Sequence, residues 1–148
     1  MERKLDLLEN IRVLILDTDD STRCSLTLSL GKRGCSVVDT GSSLDALHML
    51  CEEEFDVILV SLGTSSRESI YLLQSIKRVG SSAETILLRK TADFDLAIES
   101  MKLGVFDDLV YPIDLELLAA RVKDGSNKKR YSLCPAGIHI WYGIAQVA

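Results

Sequence analysis

The chain has 148 residues, 47% of them apolar and 26% charged, and a net charge of −5. That length provides one domain with a sizeable core, and the acidic balance disfavours non-specific binding to nucleic acid or anionic membrane. No apolar run approaches the roughly 20 residues needed to cross a bilayer, and residues 1–10, charged and helix-prone, lack the apolar core of an export signal, so a cytoplasmic protein is expected.

With three Phe, four Tyr and one Trp, aliphatic packing must carry the core. Cys24, Cys35, Cys51 and Cys134 contain no Cys-x-x-Cys pair. Three of them fall inside expected helices or strands, and all four are read as reduced structural thiols.

Ile11 to Leu16 is a first strand, ended by the acidic cluster Asp17-Thr18-Asp19-Asp20. Asp20 or Ser21 is placed to cap the next helix, which carries Leu26 and Leu30 one turn apart and meets stop signals at Gly31 and Gly34. Cys35 to Val38 is a short second strand. Gly41-Ser42-Ser43 opens a helix with Leu44, Leu47 and Cys51 on one face. Phe55 to Leu62 is a continuous apolar run, the signature of a central parallel strand buried on both sides. After the polar loop Gly63-Thr64-Ser65-Ser66, Ile70, Leu73 and Ile76 mark a third helix that Gly80-Ser81-Ser82 breaks. Thr85 to Leu88 is the fourth strand. The fourth helix starts near Asp93, with Phe94, Ala97, Ile98 and Met101 as its apolar stripe, and ends at Gly104. A fifth strand lies at Asp108 to Tyr111, and Leu115, Leu118 and Val122 mark the last helix. Asp124 to Asn127 reads as a linker, Lys128-Lys129-Arg130 as a solvated basic run, and Ile138 to Ala148 as a mildly apolar end.

Strands alternate with helices over short connections, which argues for an α/β fold, a doubly wound parallel sheet with helices on both faces. The functional crevice of such a sheet lies beyond the carboxyl ends of its strands. Asp17 and Ser61 stand there.

Five features carry a resemblance over residues 11–123: the first strand ending in Asp17, the Phe55-to-Val60 strand, the Lys102-x-Gly104 helix end, the Tyr111-Pro112 step, and Leu117-Leu118-Ala119-Ala120-Arg121-Val122. In these the chain resembles the receiver domain of two-component response regulators. The resemblance implies a flavodoxin-like five-stranded sheet of order 2-1-3-4-5, flanked by an N-terminal extension (1–10) and a C-terminal tail (124–148). It also implies a cis bond at Tyr111-Pro112.

Receiver chemistry uses an aspartate at the end of the third strand, phosphorylated by a histidine kinase with magnesium neutralising the crowded oxygens. At that position this chain has Ser61. The acid pair after the first strand survives as Asp17, with Thr18 in second place and Asp19 matching a frequent third acid. Arg89 replaces the hydroxyl after the fourth strand, and Tyr111 replaces the lysine before the proline. The resemblance therefore implies a degenerate phosphorylation pocket of Asp17, Thr18, Asp19, Ser61, Arg89 and Tyr111, without catalytic or metal-holding residues, and magnesium binding weak or absent. Ser61 either fills the crevice floor or accepts phosphate itself, which would require a general base and a charge clamp. Arg89 either points into the crevice and pairs with Asp17 or Asp19 or extends to solvent beside Lys90.

The expected function is a signalling module, not an enzyme. It contacts a protein partner (a histidine kinase or an effector) through the surface of the fourth helix, fifth strand and fifth helix, independently of phosphorylation. Leu96 and Leu103 fall opposite the apolar stripe of the fourth helix and mark either a partner or homodimer seam or two singly exposed leucines. The alternative is an enzyme or a ligand- or anion-binding protein on the same scaffold. The Gly63-to-Ser66 loop would offer amides to an anion, but G-x-G-x-x-G, G-x-x-x-x-G-K-[ST] and G-x-S-x-G are all missing. His48 is mid-helix and His139 is in the tail, without metal spacing. No helix-turn-helix follows residue 123, so direct DNA reading is not expected.

Overall fold

The structure is a computed structural model and describes residues 7–62, 66–90 and 94–132. Ten elements follow in strict alternation: β1 (Arg12–Asp17), α1 (Asp20–Lys32), β2 (Ser36–Thr40), α2 (Ser43–Glu52), β3 (Val57–Ser61), α3 (Ser66–Val79), β4 (Glu84–Arg89), α4 (Phe94–Lys102), β5 (Asp107–Val110) and α5 (Leu115–Ser132). The strands form one parallel sheet of order β2-β1-β3-β4-β5. The expected doubly wound topology is therefore the observed one, and the Tyr111-Pro112 bond is cis.

Pleating divides the core in two, because successive side chains point to opposite faces. Val13, Ile15, Val57, Leu59, Ile86 and Leu88 pack with Leu26 and Leu30 of α1 and Leu118, Ala119 and Val122 of α5. Leu14, Leu16, Ile58, Val60 and Leu87 face α2, α3 and α4 on the other side. Every residue of β3 is buried, as its uninterrupted apolar run requires. Leu8, in the expected N-terminal extension, is also core at 1% exposure, held by its amide on the Arg33 carbonyl.

Helix phases differ from the sequence expectation in two places. In α2 the residues turned inward are Ala46 and Leu50, while Leu44 and Cys51 are exposed. In α4 the inward residues are Leu96 and Ser100, with Leu103 just beyond the helix packed against the core, and Ile98 and Met101 face out. Both helices carry two partly apolar faces, so spacing alone leaves the phase open. In α4 a small residue settles it: the Ser100 hydroxyl donates to the Ala97 carbonyl, which lets a polar side chain lie against the sheet. The cap of α1 is Asp19, ahead of the expected Asp20 or Ser21, and its carboxylate accepts from the Thr22 hydroxyl. Of the thiols, Cys24 and Cys51 are exposed and only Cys35 is buried. Burial pushes Cys35 up to about 11, which keeps it protonated and inert. Cys134 lies outside the described residues.

The expected linker at 124–127 is helical. α5 runs straight through it, with Gly125 set close to Val57 and Phe106 and Ser126 buried. Lys129 is not solvated: it is 5% exposed and reaches Asp56 at 3.4 Å and Glu54 at 3.6 Å. Asp56 in turn accepts from the Arg12 amide at 2.8 Å, so this lysine pins the last turns of α5 to the amino ends of β1 and β3. Its neighbour Lys128 is half exposed and 3.7 Å from Glu84. Lys129→Ala is expected to lower unfolding free energy in urea by roughly 2 kcal/mol, as a charged, largely buried bond is lost. Lys128→Ala should stay within about 0.5 kcal/mol of wild type; equal effects would mean that the clamp is absent.

Candidate functional site

The carboxyl ends of β1 and β3 lie side by side because the two strands pair in register, which sets Asp17 opposite Ser61. Both side chains are 1% exposed. Tyr111, just past β5, brings its hydroxyl to 3.4 Å from the Ser61 hydroxyl. Three of the six expected pocket residues therefore meet.

Asp17 is the unusual group. One carboxylate oxygen, Oδ1, accepts from the Asp19 amide at 2.9 Å, and Oδ2 is buried with no hydrogen-bond partner. Burial raises the carboxyl above its ordinary value, against the opposing pull of the Asp19 amide and the positive charges of Lys90 and Arg23. Asp19, exposed at the rim, is held below the ordinary range, chiefly by the Thr22 hydroxyl. Thr18 is exposed beside it. Burial also raises the Tyr111 phenol, so Ser61 and Tyr111 face each other as neutral hydroxyls.

Arg89 does not pair with Asp17 or Asp19. It is buried, and its Nε donates to Asp108 of β5 at 2.6 Å. The pleat explains this: Arg89 shares the face of Leu87, whose partner in the β4–β5 register is Asp108, whereas Asp17 and Ser61 follow Val13–Ile15 and Val57–Leu59 onto the other face. Two cations that composition alone did not single out border the acids instead. Arg23, one turn into α1, donates to the Asp17 carbonyl at 2.7 Å, to Asp20 at 2.6 Å and to Asp39 at 3.0 Å. It fills the space over Gly41, where a Cβ would come within 2.8 Å of Nη1. Lys90 lies 6.0 Å from the Tyr111 ring centre. A readable signal for Arg23 was its position one helical turn after Asp19 and Asp20.

Leu96 and Leu103, expected as an exposed seam, face the core. Among the described residues of α4 and β5, the exposed apolar side chains are Ile98, Met101 and Val110. The Gly63-to-Ser65 part of the expected anion loop lies outside the described residues, as does His139. His48 is exposed on α2, beside Glu52.

A divalent magnesium site wants several hard oxygen ligands, carboxylates foremost. The crevice presents one buried carboxylate, one exposed carboxylate and a hydroxyl already engaged by Tyr111. Among the described residues no group of three or more His, Cys, Asp or Glu side chains comes together to hold a metal ion. The donor set among the described residues does not fit the magnesium site of a phosphorylatable receiver. No helix among the described residues is long and apolar enough to cross a membrane.

Comparison with known proteins matches residues 13–123 to the response regulator receiver domain. The chain is 27% identical over 128 residues to the transcriptional regulatory protein ZraR of Klebsiella oxytoca, covering 86% of this chain and 29% of that protein. It thus spans less than a third of the length of that regulator. Against the sporulation initiation phosphotransferase F of Bacillus subtilis it is 24% identical, covering 77% of this chain and 92% of the relative. A response regulator from Thermotoga maritima superposes with a TM-score of 0.72 at 26% identity, over 79% of this chain and 98% of that one. A CheY-like receiver domain protein from Methanospirillum hungatei shares the fold, with a TM-score of 0.76 at 19% identity over 82% of this chain and 98% of the other. The chain belongs to the response regulator receiver domain family, a module of two-component signalling.

Proposed function

We propose that this receiver domain signals by protein–protein contact, without the aspartyl-phosphate switch and without a bound metal. The observation that carries the reading is Ser61 at the end of β3, buried beside Asp17 with its hydroxyl turned to Tyr111. A neutral hydroxyl so placed is a poor metal ligand and needs a general base to become a nucleophile. Neither described nor sequence neighbours supply a histidine there. The test is direct: beryllofluoride or acetyl phosphate with magnesium, read by amide NMR. The expected outcome is no saturable shift at Asp17, Ser61 or Tyr111. A saturable response at these residues would restore phosphate-type switching.

The proposed contact surface is the outer side of α4 with the edge of β5, where Ile98 is 55%, Met101 58% and Val110 40% exposed. These replace the two leucines expected from the sequence. Ile98→Glu with Met101→Glu should leave stability within about 0.5 kcal/mol of wild type while abolishing self-association measured as mass in solution. Leu96→Glu should unfold the domain, since it places a charge in the core. A doubly substituted protein that associates like wild type would remove this face from the proposal.

A metal-free pocket also has a pH signature. Because burial raises Asp17, the folded state keeps this proton to a higher pH than the unfolded chain does. Below the ordinary value of 3.8 the group is neutral in both states and costs nothing. Its penalty sets in as pH rises above that value and is complete once pH passes the raised folded value. Asp17→Asn is thus expected to be more stable than wild type at neutral pH, with the gain fading as pH falls toward 3.8, measured by urea unfolding across pH.

A further inference from the structure

The geometry points to Lys90 as the built-in cation of the crevice, standing beside Tyr111 and offsetting the acids, Asp17 and Asp19, that a metal would otherwise neutralise. This deepens the metal-free reading and rests on it.

The pleat of β4 sorts its side chains between the two faces of the sheet. Ile86 and Leu88 point to the α1/α5 side of the sheet, and Leu87 points to the other. Arg89 follows Leu87 and is spent on Asp108. Lys90 lies just past the strand end, and the Tyr111 ring it approaches packs on the side of Ile86 and Leu88, the side also of Asp17 and Ser61. Its ammonium lies 6.0 Å from the centre of the Tyr111 ring, within range of a cation–π attraction. Tyr111 itself reaches Ser61, which neighbours Asp17 in the sheet. A path of close neighbours thus runs from the ammonium to the buried acid.

Asp17 supplies the second, independent observation. Its Oδ2 is fully buried and unpartnered, a costly state for a carboxylate unless a positive charge stands close. Lys90 acts on both acids: its charge favours the ionised form of Asp17 and of Asp19. Arg23 is the other cation near Asp17, but its guanidinium is committed to the Asp17 carbonyl, Asp20 and Asp39. Lys90 is exposed on a flexible stem, so its charge serves the crevice at little packing cost.

A resident ammonium repels a divalent ion and competes for the same carboxylates, so removing it should open the acids to metal. The probe is Mn2+, read as paramagnetic broadening of the Asp17, Asp19 and Ser61 amides in the full chain. Wild type is expected to bind weakly, and Lys90→Met to bind about tenfold more tightly, the size expected for deleting one nearby like charge. Lys90→Arg, which keeps the charge, should behave as wild type, and because residue 90 is exposed both variants should retain the wild-type amide dispersion. Equal Mn2+ response in wild type and Lys90→Met, whether both bind or neither does, overturns the assignment of Lys90 and leaves the phosphate-independent reading intact. A saturable beryllofluoride response in wild type would instead overturn that reading itself, whatever Lys90 does.

Discussion

The pairing of β1 with β3 governs the molecule. Both strands are buried on both faces, so a slip of one residue would turn a whole set of side chains to the wrong side of the sheet. That constraint fixes the register, and the register sets Asp17 against Ser61. Nothing at the crevice chose this neighbour relation; the hydrophobic layers below it did. Val13, Ile15, Val57 and Leu59 fill the α1/α5 layer, and the next residue of the same parity on each strand is the polar one that emerges at the carboxyl edge.

The two ends of the sheet are built on opposite electrostatic terms. At the amino end the charges are matched: Arg12 pairs with Glu53 and, through its amide, with Asp56, and Lys129 answers Asp56 and Glu54. Phe55 and Phe106 lie under the guanidinium groups of Arg12 and Arg121. At the carboxyl end a buried oxygen of Asp17 has no hydrogen-bond partner, and burial outweighs the favourable charges around it. The buried hydroxyls of Thr27 in α1 and Ser126 in α5 also lack a partner, but Asp17 is the one such group among them that can carry a charge.

The strands and their order were readable because runs buried on both sides leave little ambiguity: Val57 to Val60 admits no other role in a chain that alternates so regularly. Helix phase was less readable. In α4 the stripe Ala97, Ile98 and Met101 is more apolar than Leu96, Ser100 and Leu103, yet the second set faces the sheet, since the inward choice depends on which small residue can approach the strands. The end of α5 was hidden for a similar reason: Gly125, Ser126 and Asn127 have the composition of a linker, but Gly125 gains close contact with Val57 and Phe106 and Lys129 gains buried acidic partners. At the crevice, Asp17, Ser61 and Tyr111 were legible by position. The destination of Arg89 was not, although the alternation of Ile86, Leu87 and Leu88 already held the answer. A cation that follows Leu87 in parity could not share a face with Asp17.

That parity separates two tasks along one strand. Arg89, facing the α2/α3/α4 side, ties β4 to β5 through a buried ion pair with Asp108, and β5 carries the exposed Val110. A ligand shifts a conformational equilibrium only by its differential affinity for the two states, so a switch needs at least one contact that exists in one state and not in the other. The Arg89–Asp108 pair involves no group of the crevice. It holds the β4–β5 edge by a contact made within the sheet. For the phosphate-independent signalling proposed above, this pair is the contact that would hold the edge of the surface without an event at Ser61.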